Sequence, residues 1–225
     1  MKPMLAYNGE WKFSDILHWP VACTSKRDGI RAITTQAAAT TRSGKRIPNV
    51  YIDQCLAELP SGLDGEVITY TDGFPDNFHT TSGKFRTFEG LPVFKYFIFD
   101  CMIAGMPYLE RIEALKKTLP NLPGWCELLL PTLCSEEQHV RIFHSHQIAC
   151  GYEGTMVRNP KGRYKHGRCT LRESNMFKLL EWEREEGIIK GFTPNEEHVD
   201  RIGAIVVHTD KWGLIKLGSG FSLDI

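Results

Sequence analysis

Lys26-Arg27-Asp28-Gly29-Ile30-Arg31 sets a lysine beside an acid, a turn glycine and a second cation. A lysine amine attacks a phosphorus atom only in its neutral form, and burial beside other cations is the usual way to depress an ammonium pKa. Arg27 and Arg31 stand where they could supply that field. The grouping therefore has the makeup of a lysine that accepts a nucleotide covalently. The same six residues also describe a turn of solvated charges between two strands, so the reading depends on what accompanies them.

What accompanies them is an ordered series: Thr41-Arg42-Ser43-Gly44-Lys45, Leu63-Asp64-Gly65-Glu66, Tyr96-Phe97-Ile98-Phe99-Asp100, Tyr152-Glu153-Gly154-Thr155-Met156-Val157-Arg158, and Met176-Phe177-Lys178-Leu179. In these segments, their order and their spacing the chain resembles the ATP-dependent DNA ligases. These belong to the covalent nucleotidyltransferases, which also include RNA ligases and mRNA capping enzymes. The resemblance runs from about Met4 to the last residue, and the stretch Tyr164–Arg172 is similar to small bacteriophage-type DNA ligases.

The resemblance implies a role for each segment. Lys26 would attack the α-phosphorus of ATP, with Asp28 and Gly29 positioning its loop and Arg31 facing the ribose or the substrate phosphate. Arg42 would touch the 5′-phosphate or the nucleotide sugar. Glu66 would accept a hydrogen bond from a ribose hydroxyl, with Asp64 supporting it. Phe99 would be the adenine platform, a π-face worth roughly 1–3 kcal/mol by analogy with base stacking, with Asp100 in support. Glu153 would hold a divalent cation, magnesium or manganese, since magnesium takes only one or two protein carboxylates beside water and phosphate oxygens. Lys178 would neutralise charge on the α-phosphate. Where relatives commonly carry a second lysine, this chain has Leu180, and Lys190 or Lys165 are the cations that would compensate. Lys45, Arg158, Lys165, Arg168 and Arg172 are candidate contacts to the DNA backbone.

Elements that would position these groups are legible as short β-rich runs around 21–24, 30–35, 64–70, 93–102 and 155–158, with helical periodicity at 51–58, 109–118 and 135–149. Turn signals place Lys26 on a loop between strands, and Asp64-Gly65-Glu66 and Phe99-Asp100 on strands lining a cleft. The resemblance implies the class α+β: two antiparallel sheets flanked by helices, an ATP-grasp-like nucleotidyltransferase (adenylation) domain over 1–186. The resemblance also assigns 187–225 to an oligonucleotide-binding (OB-fold) barrel, a partial one, since the three strand-like runs 187–192, 203–208 and 214–217 fall short of the five strands such a barrel has.

At 225 residues, 42% hydrophobic and 24% charged, the composition is that of an ordinary globular protein. No apolar run approaches the roughly 20 residues of a spanning helix, and no secretory h-region is evident, so an intracellular, cytoplasmic protein of a bacterial or phage-infected cell is expected, acting as a monomer. Seven cysteines without a C-x-x-C pair indicate neither a disulfide framework nor a structural zinc site. Basic and acidic residues balance at 27 each, so overall charge does not itself argue for nucleic acid; the basic stretch Arg158–Arg172 and the acidic stretch Glu181–Glu186 say more. His139, His144 and His146 do not share a helical face as metal ligands would.

The expected partners are ATP and nicked duplex DNA, and the expected reaction is sealing of 5′-phosphate/3′-hydroxyl nicks in replication, repair or recombination. Two alternatives stay open: an RNA end-joining ligase, and a nick-binding protein impaired in self-adenylylation.

Overall fold

The computed structural model describes residues 2–36, 38–181, 185–195 and 201–218, so part of the acidic stretch, 182–184, lies outside the described residues. The chain divides into two compact units, Met1–Glu181 and Trp182–Ile225, a few residues earlier than the sequence boundary at 186.

Strands made largely of consecutive buried residues build two main sheets in the first unit. One carries Ala39–Thr41, Ile30–Thr34, Leu63–Thr71, Phe94–Cys101 and Cys126–Leu128 in that order, with Phe74–Pro75 folded back on Leu63–Thr71. The other orders Met176–Leu180, Gly154–Arg158, Val21–Lys26 and Thr132–Cys134, all antiparallel. The first sheet departs from the expected antiparallel pattern at its edge. Cys126–Leu128 runs parallel to Phe94–Cys101 because helix Tyr108–Thr118 intervenes between them, the kind of crossover a parallel pair needs.

Each sheet has its own apolar packing. Ile52 and Leu56 of helix Val50–Ala57, and Tyr108, Ile112 and Leu115 of helix Tyr108–Thr118, cover Val67, Tyr96 and Ile98 of the first sheet. Val140 of helix Glu137–Ala149 covers Val21, Cys23, Val157 and Phe177 of the second. Helix Phe78–Arg86 has no counterpart in the sequence reading. It holds only two large apolar residues, Phe78 and Phe85, and it is set by Asn77, whose side chain accepts from the Thr80 N–H at 2.9 Å.

The second unit is an antiparallel meander of Gly187–Pro194, Ile202–Thr209 and Gly213–Leu217, a partial barrel-like region. Among the described residues no helix is long and apolar enough to cross a membrane.

Candidate active site

Lys26 is the last residue of strand Val21–Lys26 in one sheet, and Ile30 opens strand Ile30–Thr34 in the other. Lys26 thus sits on a strand end, not on the loop itself, and its backbone is fixed by pairing with Gly154. Residues 27–29 carry the chain between sheets, and Gly29 makes the tight crossing possible. A Cβ there would collide with the carbonyl oxygen of Val67 and with the Ile68 side chain. Between the sheets lies a cavity of about 740 Å³, within the size range of small-molecule sites.

The structure brings Lys26, Arg31, Arg42, Glu66, Phe99 and Lys178 together on its walls, with Arg158, Arg168 and the apolar Met156 and Met176. The Lys26 ammonium donates to the Glu153 carboxylate in a close ion pair. Its direct neighbour is an anion, whereas the flanking Arg27 is turned toward aromatic rings. Asp28 also reaches this corner. Burial and then the Glu153 charge push its carboxyl up, opposed by Lys26 and by a hydrogen bond from the Phe78 backbone.

Arg31 and Asp64 form a two-pronged pair, Nε to Oδ1 at 2.7 Å and Nη2 to Oδ2 at 2.5 Å. Asp64 therefore supports Arg31 and not Glu66 as expected, and the Tyr164 hydroxyl donates to it as well at 2.6 Å. Burial pulls the Arg31 guanidinium down, but Asp64 more than offsets it, so Arg31 stays firmly charged. Lys178 reaches Asn8 Oδ1 at 3.3 Å, and its strand is held at the edge by Trp11, whose Nε1 donates to the Lys178 carbonyl at 3.0 Å. Leu180 pairs with Gly154, which in turn pairs with Lys26, so an apolar side chain occupies the strand position level with the lysine.

Phe99 owes its aim to a β-bulge. Asp64 pairs with Asp100 but Gly65 pairs with Ile98, leaving Phe99 as the extra residue whose ring is turned to the cavity. Glu66 sits opposite Arg31 in the register. Burial pushes its carboxyl from the ordinary 4.5 up to about 8, with Asp64 and Glu153 adding to the rise against Arg31 and Lys26. A protonated Glu66 can both donate to and accept from a hydroxyl. The folded chain then holds a proton that the unfolded chain releases between 4.5 and about 8, so this group's contribution to stability falls as pH rises through that window. Glu66→Gln is expected to flatten the fall in melting temperature between about pH 5 and about pH 8.5. Parallel pH profiles for the two proteins would contradict it.

Arg158 is not an exposed DNA contact. It is 5% exposed, and its Nη1 donates to Asp100 Oδ2 at 2.8 Å, beside Arg111, which donates to the same carboxylate at 2.6 and 2.9 Å. Asp100 thus anchors two arginines. Arg168 lines the cavity while donating to the Ala6 carbonyl at 2.9 Å. Lys165 is tied to both oxygens of Glu173, at 2.7 and 2.8 Å. Lys45 and Arg172 are not among the cavity-lining residues; Arg172 is exposed, and Lys45 is exposed in the turn after Ala39–Thr41.

Residues 3–179, nearly all of this unit, match the model of the ATP dependent DNA ligase domain. The chain belongs to that family. It is 31% identical over 137 residues to a probable DNA ligase of Mycolicibacterium vanbaalenii, a match covering 55% of this chain and 25% of that protein. The chain thus spans about a quarter of that curated relative. The Chlorella virus DNA ligase-adenylate superposes with a TM-score of 0.72 at 28% identity, covering 100% of this chain and 86% of the other. A Lig E DNA ligase shares the fold at a TM-score of 0.80 and 21% identity, covering 99% and 85%.

In this ligase domain three polar residues carry contacts that the sequence did not assign them: Asn8, Arg111 and Tyr164. Arg111 alone left a signal, a charge on the buried stripe Tyr108, Arg111, Ile112, Leu115, which demands a buried partner.

Proposed function

We propose that this chain seals 5′-phosphate/3′-hydroxyl nicks in duplex DNA with ATP through a lysyl-AMP on Lys26. The observation that carries the reading is the Lys26 amine at the end of a fixed strand, on the wall of a nucleotide-sized cavity that also presents Arg31, Arg42 and Lys178. The Lys26 nitrogen bonds to the α-phosphorus as pyrophosphate leaves. The DNA 5′-phosphate then takes AMP from Lys26, and the 3′-hydroxyl displaces AMP to close the strand. In-line displacements of this kind need cations and orientation more than acid–base machinery. Arg31, locked by Asp64, and Lys178 are the fixed positive charges for the phosphates, and Phe99 and Met156 offer apolar surface for the base. Lys45, Arg42 and Arg172 are exposed cations for the DNA backbone.

Magnesium or manganese fits the donor set, because Glu153 with Asp28 near it offers the one or two carboxylates such an ion takes beside phosphate and water. When bound, the ion would neutralise charge building on the phosphoryl oxygens. Such a chain would work inside the cell, where ATP and DNA are, as a single copy.

A nicked duplex labelled at its 5′-phosphate, incubated with the chain, ATP and magnesium, should yield the longer labelled strand. No product from this nick or from a pre-adenylated one would sink the proposal, and faster joining of RNA ends would move the assignment to an RNA ligase. Leu180 adds an asymmetry. With an apolar residue level with Lys26, the triphosphate meets one cation fewer, so sealing of a pre-adenylated nick should outpace ATP-dependent sealing by about tenfold or more. Equal rates would remove Leu180 from the account.

A further inference from the structure

Arg27 follows the nucleophile and borders the same cavity, but its guanidinium is stacked on aromatic rings. Its guanidinium carbon stands 4.1 Å from the Tyr152 ring centroid and 4.3 Å from that of Phe97. Its Nη2 lies 3.7 Å from Glu127 Oε1, the side chain is 13% exposed, and its buried Nε has no hydrogen-bond partner. A planar cation so placed is held by its faces more than by its N–H groups.

Three elements meet on this one side chain. Phe97 belongs to strand Phe94–Cys101, Glu127 to strand Cys126–Leu128, and Tyr152 to the turn between helix Glu137–Ala149 and strand Gly154–Arg158. The turn is itself tied down by the Tyr152 N–H, which donates to the Gln147 carbonyl at 3.0 Å. Lys26 precedes Arg27, Glu153 follows Tyr152, and Lys26 and Glu153 are bonded to each other. The stacked pair and the reactive pair are thus consecutive on the same two backbones. Any slip of Arg27 against Tyr152 moves Lys26 against Glu153.

We propose that Arg27 is a positioning residue for lysine adenylylation, a guanidinium clamp between Phe97 and Tyr152 that sets the aim of Lys26 and Glu153. The inference rests on Lys26 being the nucleophile. It differs from an electrostatic role, in which the charge of Arg27 alone would act on the lysine amine.

The test is single-turnover labelling of the full chain by α-labelled ATP, across ATP concentration and pH, for Arg27→Ala, Arg27→Lys and Tyr152→Leu. Displacement of a reacting group by about 1 Å costs on the order of 100-fold. Arg27→Ala and Tyr152→Leu should lose about 30- to 100-fold in rate at saturating ATP, with half-saturation within about threefold of wild type and the pH midpoint unmoved. Arg27→Lys keeps the charge but not the plane, so it should fall as well. Sealing of a pre-adenylated nick, which needs no attack by Lys26, should lose at least about tenfold less.

A wild-type rate in Arg27→Lys with a displaced pH midpoint in Arg27→Ala would overturn the clamp in favour of a charge effect. Raised half-saturation at unchanged maximal rate would overturn it in favour of an ATP contact, and equal loss in both assays would reduce Arg27 to a folding role. No adduct in the wild type would overturn the reading of Lys26 and the clamp with it, whereas an adduct formed equally fast by Arg27→Ala would overturn the clamp alone.

Discussion

Lys26→Ala should abolish the covalent band that α-labelled ATP leaves on the chain after denaturing electrophoresis, a loss of at least about 1,000-fold. Alanine offers no nitrogen to the phosphorus, and the other lysine on the cavity wall, Lys178, lies on a different strand with its ammonium directed to Asn8. Label from ATP but not from GTP is expected for the wild type. A band that survives in Lys26→Ala would transfer the nucleophile to another lysine, and label from GTP would move the chain toward capping chemistry.

The backbone around Lys26 was legible in the sequence because it depends on neighbours. The β-rich runs at 21–24, 30–35 and 64–70 became Val21–Lys26, Ile30–Thr34 and Leu63–Thr71, and the glycine three residues after Lys26 marked a crossing that only glycine fits. Where a charged side chain points was not legible in the same way. Arg27 and Arg31 read alike in the sequence, yet one is clamped by Phe97 and Tyr152 and the other by Asp64, partners that folding brings from distant segments. Arg158 looked like part of a basic surface stretch, but its carboxylate is 58 residues away in sequence and fully buried. Helix Phe78–Arg86 and the bulge at Phe99 were hidden for another reason. A nine-residue helix with two large apolar residues and one asparagine cap, and one extra residue in a strand, give a sequence pattern little to show.

Asp100→Ala should be the most destabilising single change at the site, by about 3–5 kcal/mol. Asp100 is 0% exposed, and Arg111 and Arg158, which share it, are 1% and 5% exposed. Alanine would strand two guanidinium charges that are almost wholly buried, and Arg158 already has a buried Nε without a partner. Arg111 retains its bonds to the Met106 and Gly162 carbonyls, at 2.6 and 3.0 Å, but these are dipoles and not a counter-charge. The loss should reach nucleotide binding too, because the Arg158 guanidinium carbon stands 5.4 Å from the centroid of the Phe99 ring, the proposed base platform. Urea denaturation gives the stability directly, and a loss under about 1 kcal/mol would mean that water solvates the freed arginines. Adding Arg111→Met to Asp100→Ala removes one stranded charge while keeping an unbranched apolar stem. The double variant should therefore recover part of the stability, which a simple sum of two damaging substitutions would not allow.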